Sequence, residues 1–209
     1  MDLAVARTES LSSIVLAGGE AKRFGRNKLE EELGGRTLIQ RVIDSLSQIS
    51  DEIIVAAAPH QHTPHIHSTR VKVVTDLIPG KSALGGIYTG LSAAASFRSL
   101  VVAADMPLLN IALLKYMMDI SEDYDVVVPR IDRWLEPLHA IYSKKCRAPM
   151  REQIESGQLA IRVFLEQVRV RYLEKEEIEK FDPEHLSFFN INTEADLDTA
   201  RAVLARSQA

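Results

Sequence analysis

The sequence has a single cysteine, Cys146, so no internal disulfide is available to it. That excludes a sulfur-stapled scaffold and suits a reducing compartment. Nothing beside Cys146 resembles an activated thiolate, and it reads as a small hydrophobe. Long apolar runs are missing as well: no stretch approaches the roughly 18 residues of a spanning helix. The first ten residues carry Asp2, Arg7 and Glu9, which argues against a signal peptide or anchor there. Excess positive charge is also lacking. The formal net charge of −4 argues against duplex nucleic acid as the main partner. There is no internal repeat, no low-complexity tract and no long flexible linker. These absences leave a cytoplasmic chain with no membrane and no nucleic-acid partner as the expectation.

What is present is enough for a core. The 209 residues are 46% hydrophobic, and a domain of this size buries about 70% of the surface its unfolded chain exposes. One domain, 1–209, is expected. Short runs rich in Val and Ile alternate with helical patterns. Ser12 to Ala17, Glu52 to Ala57, Val71 to Thr75, Leu100 to Ala104, Asp125 to Pro129 and Leu138 to Ser143 read as buried strands, because they lack the alternation of a half-wet sheet. Helices are predicted from Thr37 as cap to Gln48, over Leu84 to Ser96, Ile111 to Ser121 and Lys144 to Glu155, and from Thr193 to Arg206. The last opens Thr193-Glu194-Ala195-Asp196, a capping box with Asp in place of Glu. Alternating strands and helices imply an α/β fold with a mostly parallel sheet. Ligands of such sheets lie beyond the carboxyl ends of the strands. Weight therefore falls on Gly18-Gly19, Asp76 and Asp105, which follow the first, third and fourth of these strands.

The first loop is the most informative segment. It reads Leu16-Ala17-Gly18-Gly19-Glu20-Ala21-Lys22-Arg23-Phe24-Gly25-Arg26-Asn27-Lys28. Gly18 and Gly19 let the backbone approach a ligand closely, and successive N–H groups in such a turn form a nest for an anion. Arg23 and Lys28 add charge against phosphate oxygens, Arg bidentately and Lys as a point charge. No Ser or Thr follows Lys28, so this is not a P-loop, and the G-x-G-x-x-G spacing of a dinucleotide fingerprint is absent. Asp105 leaves the apolar run Leu100 to Ala104 just ahead of Met106-Pro107. A carboxylate oriented by a strand end suits Mg²⁺, which takes one or two carboxylates together with phosphate oxygens and water.

The thirteen residues resemble the signature L-A-G-G-x-x-x-R-(F/M)-G-x-x-K of the nucleotidyltransferases with a Rossmann-like fold, and most closely the molybdenum cofactor guanylyltransferase family. The similarity continues through Leu33-Gly34-Gly35-Arg36-Thr37-Leu38-Ile39, Ala104-Asp105-Met106-Pro107 and Asn190-Ile191-Asn192-Thr193. It implies a three-layer Rossmann-like fold and an Mg²⁺-dependent enzyme. The implied reaction moves GMP from GTP to molybdopterin with release of pyrophosphate. By the same resemblance Leu16, Ala17 and Gly18 contact the nucleotide, with Gly19 beside them, and Lys28 neutralises its phosphates. Asp105 is implied as the Mg²⁺ ligand and, with Arg23 and Lys28, as part of the catalytic set. Asp76 is implied as a nucleotide contact, and Gly85 belongs to a second glycine loop beside base and ribose. Asn190 and Asn192 are implied on the acceptor side, with metal binding as a lesser alternative. As alternate residues of an extended segment, both amides are expected to face one site. Transient contact with other proteins of molybdenum cofactor biosynthesis is a further implication.

One departure stands out. Ala56-Ala57-Ala58 occupies a stretch where the resembling family often has a nucleotide-touching asparagine, and alanine offers no side-chain hydrogen bond. Guanine choice then rests on backbone groups, or the base differs. A relative using CTP or another phosphorylated acceptor, and a non-catalytic nucleotide binder, are the alternative readings. His60, His62, His65 and His67 crowd together but read as a surface loop rather than a metal site. Trp134, beside Arg133, is a stacking surface for a pterin-like ring or a partly buried core residue. Glu174 to Lys180 reads as a solvated helix face.

Overall fold

A computed structural model of the chain describes residues 10–17, 28–59, 66, 68–78 and 82–207. The elements run β1 (Ser12–Leu16), β2 (Glu32–Leu33), β3 (Arg36–Thr37), α1 (Leu38–Leu46), β4 (Glu52–Ala57), β5 (Val71–Thr75), α2 (Ser82–Ala93), β6 (Arg98–Ala103) and α3 (Ile111–Asp119). They continue with β7 (Val126–Ile131), β8 (Trp134–Leu135), β9 (His139–Ser143), α4 (Arg147–Glu155), α5 (Ile161–Leu165), β10 (Val170–Glu174), α6 (Lys175–Ile178) and α7 (Glu194–Ser207).

The main sheet has the order β10-β7-β9-β6-β1-β4-β5, with β8 paired to β7, and β2 and β3 form a separate small ribbon. Strand β1 pairs in parallel with both β4 and β6, and β4 pairs in parallel with β5. Strand β9 runs antiparallel between β6 and β7, which returns β7 to the direction of β6. The sheet is therefore mostly parallel, as the sequence pattern predicts, with an antiparallel insertion. In register, Leu16 lies opposite both Ala56 and Ala103. The loops after β1, β4 and β6 thus leave the sheet at one level.

Side chains alternate across the sheet, and the core divides accordingly. Val15, Val55 and Val102 face α1 and α3, where Ile39, Val42, Leu113 and Met117 meet them. Ile14, Leu16, Ile54 and Val101 face the opposite side, against Leu84, Ile87 and Leu91 of α2 and Met150 of α4. A smaller cluster of Leu33, Leu38, Ile191, Leu197 and Ala200 packs α7 onto the ribbon end. The result is three layers, helix on sheet on helix. Among the described residues no helix is long and apolar enough to cross a membrane.

Helix α1 is capped as expected, with Thr37 Oγ1 accepting from the Gln40 N–H at 3.3 Å. The capping box of α7 forms too. The Asp196 N–H donates to Thr193 Oγ1 at 3.1 Å, and Asp196 Oδ2 accepts from the Thr193 N–H at 2.8 Å. Strand β10 has no counterpart among the predicted strands. It is a half-buried edge strand carrying Arg171 and Glu174, so its charges mask the apolar run. The Glu174 to Lys180 run is less solvated than expected: only Lys175–Ile178 is helical, Arg130 Nε donates to Glu174 at 3.0 Å, and Glu177 accepts from Arg171 and Tyr116.

Candidate functional site

The carboxyl edge of the sheet gathers side chains from remote parts of the chain. Lys28 opens a single 3-10 turn, Lys28–Glu30, anchored by buried Leu29. Asp105 lies in the turn after β6, where the main chain of Ala104 and Asp105 ties three segments together. The Ala104 N–H donates to the Leu16 carbonyl at 3.1 Å, and the Asp105 carbonyl accepts from the Ile191 N–H at 2.9 Å. Ile191 is fully buried, so the strand end and the Asn190–Thr193 segment are held against each other.

On this frame the Lys28 ammonium donates to Asp105 Oδ2 at 2.6 Å and to Asn192 Oδ1 at 3.0 Å. The Lys28 and Asp105 side chains are only 20% and 16% exposed, which shields their attraction from solvent. Two hard oxygens thus converge on one cationic atom. That donor set fits Mg²⁺, and Lys28 stands in for a cation between them. Among the described residues no group of three His, Cys, Asp or Glu forms a metal cluster, but Mg²⁺ needs only one or two protein oxygens when phosphates supply the rest.

The other candidates fall into place unevenly. Leu16 and Ala17 are 8% and 5% exposed, and the Ala17 N–H is engaged with the Ala56 carbonyl at 2.9 Å. Asp76 follows β5 on the same edge. Its Oδ1 accepts from the Ile78 N–H at 3.0 Å and the Thr89 hydroxyl at 2.8 Å, which pins the strand exit to α2. Its N–H donates to the Ala57 carbonyl at 2.8 Å. Gly85 is buried in the first turns of α2 rather than in a loop. At neighbouring Gly86 a Cβ would lie 3.2 Å from Leu16 Cδ2, so the small side chain serves strand packing there. Asn192 reaches Lys28, whereas Asn190 bonds locally, its Nδ2 donating to the Phe188 carbonyl at 3.2 Å. Gly18, Gly19 and Arg23, and with them His60, His62, His65 and His67, lie outside the described residues.

Trp134 is 64% exposed, which decides against core burial. The Arg133 guanidinium lies 5.0 Å from its ring centroid. The β7–β8 hairpin that carries both residues turns over at the carboxyl edge. Two further groups escaped the sequence pattern. Asp196 reads there only as a helix cap, yet its Oδ2 also accepts from the Asn192 N–H at 2.9 Å. That bond holds its carboxyl below the usual range, with Thr193 and the Lys28 charge adding to it. His139, on β9, is fully buried, and neither ring nitrogen has a hydrogen-bond partner among the described residues. Burial pushes its pKa down to about 3, and its ring tilts on Phe188 at 4.5 Å. A lone His inside an apolar strand carries no sequence signal for this. Buried Cys146 behaves as the sequence suggests, its thiol pushed up to about 12 by burial.

The chain is similar in sequence and fold to known proteins. The model of the MobA-like NTP transferase domain matches residues 13–172. A "Probable molybdenum cofactor guanylyltransferase" of Pelotomaculum thermopropionicum is 36% identical over 94% of this chain and 95% of its own length. The molybdenum cofactor guanylyltransferase of Desulfosudis oleivorans is 34% identical over 94% of this chain and 96% of its own. Among solved structures, the molybdopterin-guanine dinucleotide biosynthesis protein A of Archaeoglobus fulgidus superposes with a TM-score of 0.77 at 28% identity. That likeness spans 93% of this chain and 99% of the other. With a matching family model over most of its length and relatives at 34–36% identity, the chain belongs to the MobA-like NTP transferase family of nucleotidyltransferases.

Proposed function

We propose that this chain, as one cytoplasmic domain spanning 1–209, transfers GMP from GTP to molybdopterin. A phosphate oxygen of the acceptor attacks the α-phosphorus of GTP. The bond to the bridging oxygen of the β-phosphate breaks, and pyrophosphate leaves with that electron pair. No covalent enzyme intermediate is needed. The observation that carries the reading is the meeting of Lys28, Asp105 and Asn192 at the carboxyl edge of the sheet.

In this mechanism Lys28 pairs with triphosphate oxygens and offsets their charge. Asp105 and Asn192 would supply oxygens for Mg²⁺, which when bound would neutralise phosphate charge. The Gly18 and Gly19 amides and Arg23 cradle the phosphates, Leu16, Ala17, Asp76 and Gly85 border the nucleoside, and Asn190 lies toward the acceptor. Holding the acceptor phosphate in line with the leaving group supplies much of the remaining acceleration. The exposed Trp134 offers a face for the acceptor's pterin ring. Transient contact with other molybdenum cofactor biosynthesis proteins belongs to the same reading.

Incubation with GTP, CTP or ATP, Mg²⁺ and molybdopterin, read by mass spectrometry, tests this. The guanine dinucleotide is the expected product, with GTP preferred over CTP and ATP by on the order of 10- to 100-fold, since each unmatched hydrogen-bond pair leaves a buried group unpaired at ~1–3 kcal/mol. A preference for CTP would reassign the base, in keeping with Ala56 to Ala58. Absence of product with every triphosphate would overturn the reading.

A further inference from the structure

Asp196 makes one bond more than helix capping requires. A capping box needs its third residue to accept from the N-cap N–H and the N-cap side chain to return the favour. Thr193 and Asp196 complete that exchange. The same Oδ2 takes a second N–H, that of Asn192, at 2.9 Å. Asn192 is the residue whose amide oxygen shares the Lys28 ammonium with Asp105. One residue earlier, the Ile191 N–H is bound to the Asp105 carbonyl at 2.9 Å, and the Ile191 side chain is buried against Leu33, Leu38, Leu197 and Ala200. The Asn192 backbone is therefore gripped on both sides, by Asp105 before it and Asp196 after it. Asn192 itself is exposed, so packing does not select its rotamer. Without the second grip its amide would sample several directions, at an entropy cost when it must point one way.

We propose that Asp196 is a positioning residue of the transfer site. From the first turn of α7 it fixes the Asn192 main chain and so holds the Asn192 amide oxygen, together with Asp105, on the cation between them. The proposal rests on the nucleotidyl-transfer reading, but its geometric core concerns the nucleotide-free protein. Residues that orient a ligand through another side chain are costly to lose, commonly about 10- to 100-fold in affinity or rate.

Thr193→Ala and Asp196→Ala separate positioning from capping, since both weaken the α7 cap and only the second releases the Asn192 N–H. Both variants should melt at similarly lowered temperatures. Thr193→Ala should keep kcat and the extra affinity that Mg²⁺ confers on GTP binding in calorimetry, and Asp196→Ala should lose about 10- to 100-fold in kcat and weaken the Mg²⁺-dependent increment. Asp196→Asn, which retains an acceptor oxygen, should recover part of the loss. In the double variant Asp196→Ala/Asn192→Ala the activity should match Asn192→Ala alone, because the first change acts through the second. Turnover is not needed for the final arm. The Asn192 side-chain amide resonances of the nucleotide-free protein, assigned by their disappearance in Asn192→Ala, should move toward random-coil values in Asp196→Ala and stay in place in Thr193→Ala. Unmoved resonances in Asp196→Ala, or losses that multiply in the double variant, would overturn the proposal. A parent protein that transfers no nucleotide would refute the transfer reading alone, and the resonances would still decide this one.

Discussion

Lys28 is paired within the fold, and under the proposed function the same charge would meet a triphosphate. Its ammonium neutralises Asp105 and satisfies Asn192. A triphosphate brings several negative oxygens that compete for it. Lys28→Ala should therefore weaken GTP binding about 10- to 150-fold, the equivalent of the ~1.5–3 kcal/mol of a charge-assisted contact, and leave guanosine binding nearly unchanged. Parallel calorimetric titrations with both ligands check this, and equal weakening would show that the contact is not to phosphate. Asp105→Asn keeps the shape and the backbone bond from the Ile191 N–H to the carbonyl at this position but lowers the charge offered to a cation. It should retain the parent's melting temperature and cut kcat at least ~10²-fold, the scale of losing one key electrostatic group. Turnover near the parent's would remove Asp105 from the metal site.

Helix α2 shows how an element with poor intrinsic propensity is made by its packing. Gly85, Gly86 and Gly90 lie within its twelve residues, and each glycine costs a helix interior about 1 kcal/mol relative to alanine. Close contact with β1 compensates. A Cβ on Gly90 would fall 2.3 Å from Ile14 Cγ2 and 2.9 Å from its Cδ1, and Ile14 is fully buried. Gly90→Ala should accordingly destabilise the fold by about 1–3 kcal/mol, the usual cost of overpacking a filled core, even though alanine is the better helix former. Denaturant titration measures it, and an unchanged or raised midpoint would mean that α2 can slide off β1. A Cβ at Gly86 would likewise lie 3.2 Å from Leu16 Cδ2, so the glycine run also fixes how near the start of α2 comes to the carboxyl edge of the sheet. The β7–β8 hairpin is held differently. Asp132 takes a left-handed φ of 53° at its turn, and the Arg130–Glu174 ion pair ties its stem to β10.

For the molecule as a whole, the least expected feature is an uncharged histidine in the core. The His139 ring stays neutral in the native protein down to a pH of about 3, whereas an unfolded-chain histidine takes up its proton near pH 6.5. Between those values the unfolded state binds a proton that the native state does not. Stability is thus complete above about pH 6.5 and declines as pH falls, by up to about 1.4 kcal/mol per unit for one such group. His139→Phe should flatten this decline. Thermal melts of parent and variant from pH 7.5 to 5 compare the slopes, and parallel curves would show that His139 is not the group responsible.

The sequence by itself determined the layer order, because Val- and Ile-rich runs can be buried on both faces only in a covered parallel sheet. It also determined the caps at Thr37 and Thr193, which depend on residues three apart, and it singled out Lys28, Asp105 and Asn192 as candidates. Local spacing carried the layers and caps, and the family resemblance added weight to the site residues, above all Asn192. Spacing did not carry β10, whose charges hide an edge strand, nor the antiparallel turn of β9, since pairing partners are chosen across the chain. Nor did local spacing show that the His139 ring nitrogens would have no hydrogen-bond partner among the described residues. Above all, the contact of Lys28 with Asp105 and Asn192 joins positions 77 and 164 residues apart. Only the tertiary structure decided that meeting, because it depends on the Leu16 and Asp105 carbonyls taking the N–H groups of Ala104 and Ile191. Those bonds bring the end of β1, the end of β6 and the approach to α7 to one point, and no pattern within a segment encodes where the other two will lie.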